Sequence, residues 1–240
     1  MPTNHTQTLA ALRRSLKHSA NPRRAQLHRR FFKTGAGDYA AGDRFLGITV
    51  PTLRTLVKQY RDLSLHDVNA LLRSPWHEQR LLALLILVDQ YRRGDASLRR
   101  RIHRKYLRNV RHINNWDLVD SSAEHIVGGF LADQDKRLLW RLARSANLWE
   151  RRIAVLATFH FIRRGRFAET LKLAASLLRD EHDLIHKAVG WMLREVGKRD
   201  RACLEGFLTR HRDRMPRTML RYAIEHFPKP QRQRYLQRTA

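Results

Sequence analysis

Three sets of residues in this chain have types and spacings that could do chemistry. In "NNWDLVDSSAEHIVGGFL" Trp116 and Asp120 stand four apart, on adjoining turns of one edge of a predicted helix. Asn114 and Asn115 are candidate caps for that helix, and Asp117 falls in its first turn. An advance of about 100° per residue gathers Val119, Ala123, Ile126 and Phe130 into an apolar stripe and sends Asp117 and Glu124 to the far side. Asp120 is then the carboxylate placed half-buried beside an aromatic ring. The bland alternative makes Trp116 a core anchor and Asp120 a surface acid paired with an arginine. In "EHDLIHKAVGWMLREVGKRD" the stripe is Ile185, Ala188, Val189, Met192 and Val196, and Trp191 lies opposite it with Lys187 and Arg194. A flat ring among cations suits a sugar or base whose phosphates the cations hold, unless another helix covers the ring. Arg151 and Arg152, at the start of "WERRIAVLATFHFI", could join helix N–H groups in gripping a phosphate, or form salt bridges with neighbouring acids.

Other patterns carry less. His182 and His186 are four apart in "HDLIH", without the glutamate of a zinc-protease helix or an evident third ligand, so no metal is expected. "GAGDYAAG" is not followed by Lys-Ser/Thr and is no nucleotide loop. Ser121 and Ser122 sit mid-helix, away from any nucleophile elbow. The single cysteine, Cys203, excludes an intramolecular disulfide and reads as a small hydrophobe.

The elements that must position these residues are helical. Apolar residues recur with a period near 3.6 almost throughout, and alternation is rare. Helices are predicted at 6–18, 22–33, 51–60, 64–73, 76–93, 96–110, 115–127, 133–145, 149–163, 167–179, 184–197, 201–212, 216–227 and 231–238, with one long loop at 34–49. Five segments share a plan of polar approach, anchor, charged turn and apolar helix. Their anchors Trp76, Trp116, Trp149, Leu184 and Arg217 fall 33 to 40 residues apart by their numbering. That interval predicts an all-α fold: an α-solenoid of HEAT-like helical repeats, with one layer of helices lining a concave face. No linker is visible, so residues 1–240 read as a single domain. The formal charge of +26 must be matched by a polyanion or tolerated as self-repulsion, and nucleic acid is the expected partner. No run approaches 18 apolar residues and no lipidation signature is present, so no membrane partner is expected. "MPTNHTQTLAALRRSLKHS" lacks the apolar core of a secretory signal, which points to the cytoplasm. Self-repulsion at this charge favours a monomer.

"NNWDLVDSS", "NLWERRIAVLATFHF", "LIHKAVGWMLREVGKRD" and "FFKTGAGDYAAGDRFLGITVPTLR" together resemble the AlkD-like family of DNA alkylation repair proteins, over roughly residues 8–230. The resemblance implies a right-handed superhelix of HEAT-like repeats with a basic concave face for double-stranded DNA containing alkylated bases. It also implies a monofunctional N-glycosylase acting on purines made cationic by alkylation at N3 or N7, on nucleoid DNA and without a cofactor. By this resemblance Asp120 is the catalytic carboxylate, Trp116 and Trp191 approach the damaged nucleotide, and Arg152 faces a phosphate. Phe31 and Thr49 fall at DNA-contact positions where some members carry tyrosine and glutamine. Asp183 and Leu184 replace an aromatic pair of certain members. A non-catalytic HEAT-like module that binds DNA or an acidic partner is the alternative.

Overall fold

The structure is a computed structural model and describes residues 8–237. Positions 6, 7 and 238, assigned above to the outermost helices, lie outside the described residues. Among the described residues there is no strand, only an isolated bridge between Arg44 and Trp76. The chain divides into two compact units, Met1–Ser122 and Ala123–Ala240.

The first unit holds α1 (Leu9–His18), α2 (Pro22–Phe31), α3 (Val50–Tyr60), α4 (Leu65–Leu72), α5 (His77–Arg93), α6 (Ala96–Arg108) and α7 (Trp116–Asp120). Most begin where a short polar side chain can accept from an orphan N–H group: Thr8, Asn21, Thr49, Ser64, Asp95 and Asn115 all do so. Helix α5 is apolar nearly all round and buries Leu81, Leu82, Leu84, Ile86, Leu87 and Tyr91. It is therefore the interior element, against which α3, α4, α6 and α7 pack.

The second unit holds α8 (Gly129–Leu131), α9 (Arg137–Ala143), α10 (Leu148–Ala157), α11 (Phe159–Ile162), α12 (Ala168–Ser176), α13 (Asp183–Gly197), α14 (Arg201–His211), α15 (Arg217–Ala223) and α16 (Lys229–Leu236). Here α13 is the interior element, packed by α10, α12, α14 and α15. At Gly190 a Cβ would come within 2.5 Å of the Met219 carbonyl, so α13 and α15 meet backbone to backbone. All five repeat anchors stand at the first turn of a helix: Trp76 directly before α5, Trp116 in α7, Trp149 in α10, Leu184 in α13 and Arg217 in α15.

Two predicted helices are interrupted. The segment expected as one helix over 115–127 ends at Asp120, turns through Ser121 and Ser122, and resumes as a π-helical stretch, Glu124–Gly128. Ser122 explains the break. Its hydroxyl donates to the Leu118 carbonyl at 2.6 Å and takes the place of an onward backbone bond. The wider π turn changes the facing of every residue beyond it. Glu124, expected on the exposed far side, is instead buried, with Arg163 at 2.6 Å. The helix expected over 149–163 breaks at Thr158, whose hydroxyl returns to the Val155 carbonyl at 2.7 Å.

Candidate functional site

Helix α7 is five residues long and could not stand alone. It is held by the buried Leu118 and Val119 and by what its first two side chains touch. The half-buried Trp116 ring stacks on Phe32 with centroids 5.4 Å apart, meets the edge of Phe31 at 5.8 Å, and donates its indole N–H to the Tyr39 hydroxyl at 3.2 Å. Phe32 in turn stacks on Phe45 and lies against His77, at 5.2 and 4.7 Å. Trp116 is thus anchored on three sides yet keeps exposed surface.

Asp117, expected on the far side, faces a buried partner. His77 is 2% exposed and its Nε2 lies 2.8 Å from Asp117, while Nδ1 lies 3.2 Å from Asp43. Asp43 also accepts from Arg80 at 2.7 Å and from Asn115 at 3.4 Å. Burial alone would lower the His77 pKa, but the Asp117 charge and the bonds to both carboxylates outweigh it, raising the value to about 9. Burial likewise pushes Asp43 up, and the His77 bond with the Arg80 charge overcomes it, leaving Asp43 below the usual carboxylate range. His77 is therefore an imidazolium at neutral pH, donating from both nitrogens.

The sign of the pH dependence follows. An imidazolium stabilised on folding contributes fully below the unfolded value near 6.5, and the contribution drains away as pH rises through 9. We expect thermal stability to fall between those limits by on the order of 3 kcal/mol. His77→Gln should flatten that segment of the profile, read by circular dichroism melts across the range. An unchanged slope in the variant would remove His77 from the account.

The loop at 34–49 is fastened from beneath by Glu78. This carboxylate, 2% exposed, accepts from the backbone N–H groups of Leu46 and Gly47 at 2.8 Å each and of Ile48 at 3.3 Å. Gly47 has φ +77°, and a Cβ there would strike the Asn21 carbonyl at 2.1 Å, so only glycine fits. Asp43 and Glu78 together place Tyr39 and Phe45 against Trp116 and Phe32.

Asp120 ends α7, half-buried, one turn beyond Trp116. Behind it the fully buried Tyr106 hydroxyl lies 3.0 Å from Ser122. Burial drives the Tyr106 pKa far up, and the Asp120 charge pushes the same way. Tyr106 thus stays protonated and can donate to Ser122, which fixes the backbone turn immediately after Asp120.

Among the other predicted site residues of the first unit, Phe31 is 64% exposed. Thr49 caps α3, its hydroxyl 2.9 Å from that of Thr52.

In the second unit Trp191 is half-buried, its ring meeting Phe159 edge-on at 6.0 Å. Phe159 itself carries the Arg163 guanidinium at 4.4 Å. The cations expected beside Trp191 engage acids: Lys187 pairs with Asp183 at 2.7 Å and Arg194 with Glu225. These four line a cleft of about 670 Å³. Arg151 takes the salt-bridge alternative, with Asp180 at 2.7 Å and the Ser145 and Ala146 carbonyls at 3.0 Å. Arg152 is 4% exposed and donates to the Leu184 carbonyl, joining α10 to the start of α13. His182 caps α13 through Nδ1 and His186 bonds the Asp180 carbonyl, so both have structural partners.

Sequence reasoning passed over Tyr39, Phe32, Asp43, His77 and Glu78. The available signal was "SPWHEQR", where His77 and Glu78 directly follow a repeat anchor and open a helix too apolar to expose them.

Residues 12–227 match the family described as DNA alkylation repair enzyme, and the chain belongs to that family. It is similar in structure to a predicted DNA alkylation repair enzyme from Enterococcus faecalis, with TM-score 0.68 over 88% of this chain and 98% of that one, at 18% identity. At that identity the likeness speaks for the fold, an all-α helical-repeat class as the sequence leads one to expect. No curated protein matches. Family membership gives a role in DNA repair, with DNA as the partner. Among the described residues no helix is long and apolar enough to cross a membrane.

Proposed function

We propose that this protein is a monofunctional DNA N-glycosylase that removes purines made cationic by N3- or N7-alkylation from duplex DNA. The observation that carries the reading is Asp120, a half-buried carboxylate one helical turn from an indole held on three sides by Phe32, Phe31 and Tyr39. An alkylated purine already bears the positive charge that protonation would supply, so its departure needs no general acid. As the C1′–N bond breaks, its electron pair neutralises the purine and positive charge grows on the deoxyribose. A carboxylate at that point stabilises the oxocarbenium-like state, and can orient the attacking water and receive its proton as the new C1′–O bond forms.

The exposed part of the Trp116 ring offers its electron-rich face to sugar C–H bonds that become positive in the same step. Trp191 has the counterpart role that the resemblance assigns it, contacting the damaged nucleotide. Phe31, Thr49, Lys187, Arg194, Arg151 and Arg152 are proposed as DNA-side residues, the buried Arg152 by turning from the Leu184 carbonyl toward a phosphate. For Lys187, Arg194 and Arg151 this means exchanging a carboxylate for a phosphate, or sharing one guanidinium or ammonium between both. The chemistry as written calls on no metal or organic cofactor, and the net charge favours a monomer.

The test is release of methylated purine from alkylated duplex DNA by the purified protein, followed by chromatography, with strand integrity scored in parallel. Free base with an intact, abasic strand is the expected result. Nicked strands would sink the monofunctional assignment. Binding without any release would leave the non-catalytic module.

A further inference from the structure

A basic feature of the first unit is not used by this reading. Arg73, at the end of α4, and Arg101, Arg104, Lys105 and Arg108, along α6, line a cleft of about 500 Å³. Its lining comes from α4, α6 and their C-terminal caps, with no residue of α5 or α7 and none of the aromatic cluster around Trp116. The cleft also contains no carboxylate. Some arginines elsewhere are matched to acids, as in Arg61 with Asp89, Arg93 with Asp62 and Asp89, and Arg201 with Glu205. Among the described residues, none of the five cleft cations is paired with a carboxylate.

The arrangement is built rather than loose. Asn109, 3% exposed, donates to the Lys105 carbonyl at 2.8 Å and accepts from Arg73 Nε at 3.3 Å. One amide thereby holds the Arg73 guanidinium across the cleft from α6. Burial and the neighbouring charges of Arg73, Arg101 and Arg108 lower the Lys105 pKa, the mark of cations crowded without a counter-ion. Arg101, Arg104, Lys105 and Arg108 recur at the spacing of one helix face, a stripe about 10 Å long. At about 3.4 Å of axis per phosphate on one strand, that stripe faces roughly three consecutive phosphates. One DNA footprint commonly engages about six to ten phosphates, and a net charge of +26 exceeds that severalfold.

We propose that the α4–α6 cleft grips the phosphate backbone of a second DNA segment, separate from the duplex presented to Trp116 and Asp120. The protein would then hold two duplexes at once, passing between neighbouring segments during search without full release. The inference rests on DNA as the partner and not on glycosylase chemistry.

The experiment counts duplexes. Short undamaged duplexes are titrated into the full chain at low salt and the complexes weighed by sedimentation, alongside the combined Arg101→Gln, Arg104→Gln and Arg108→Gln variant. The wild type is expected to take two duplexes and the variant one, with base release from a single alkylated duplex the same in both. Arg104→Gln alone should lower the salt slope of the second event by about one. All three positions are exposed, and a circular dichroism melt checks that the variant folds. One duplex per wild-type chain, or two per triple variant, overturns the proposal. So does retention of the second duplex in the presence of saturating inorganic tripolyphosphate bound at the cleft. Two duplexes without base release would sink the glycosylase reading and leave this one standing.

Discussion

Asp120→Asn is expected to reduce release of alkylated purine by about a hundred- to a thousandfold, the usual cost of removing one preorganised electrostatic contact to a transition state. The substitution is nearly isosteric, so Trp116, Tyr106 and Ser122 can keep their places around the end of α7. What disappears is a full negative charge beside the position where a sugar becomes cationic. Affinity for undamaged duplex should hold or increase, because a carboxylate facing phosphates repels them. This opposition of effects separates a catalytic role from a structural one. A residue that merely held α7 would lower binding, stability and release together. Release rates are measured under single turnover and affinity by fluorescence anisotropy. Equal release by the two proteins would remove Asp120 from the mechanism.

Much of this site can be read from local pattern because its geometry is local. Trp116 and Asp120 share an edge through four-residue spacing, and the starts of the helices announce themselves through Asn, Ser, Thr and Asp caps. A helical wheel fails where its constant turn angle fails. Ser122 breaks the ladder, the π stretch begins at Glu124, and a residue assigned to solvent becomes a buried partner of Arg163. Pairings across long separations leave no trace in periodicity. Asp43, His77 and Asp117 meet across 34 and 40 residues. Arg194 on α13 looked open for the same reason, since Glu225, which engages it, lies on the chain far beyond.

Glu78→Ala should damage the first unit severely, at about 3–5 kcal/mol of unfolding free energy. Three backbone N–H groups end on this carboxylate, those of Gly47 and Ile48 in buried surroundings. Bonds to a charged acceptor contribute about 1.5–3 kcal/mol each, and the orphaned donors would then pay desolvation without return. Water entering the vacated space would offset part of this, which sets the lower figure. Gly47 cannot rearrange to relieve the loss, because its positive φ and its contact with the Asn21 backbone fix the loop's path. Loosening at 46–48 should spread to Asp43 and Tyr39, the loop residues that touch His77 and Trp116. Base release should therefore fall even at temperatures where the variant remains folded, which distinguishes Glu78 from an ordinary core residue. Urea unfolding measures the global loss, and hydrogen exchange at the amides of residues 46–48 reports the local one. A loss under about 1 kcal/mol with protection retained at those amides would mean that the loop is held by something other than this carboxylate.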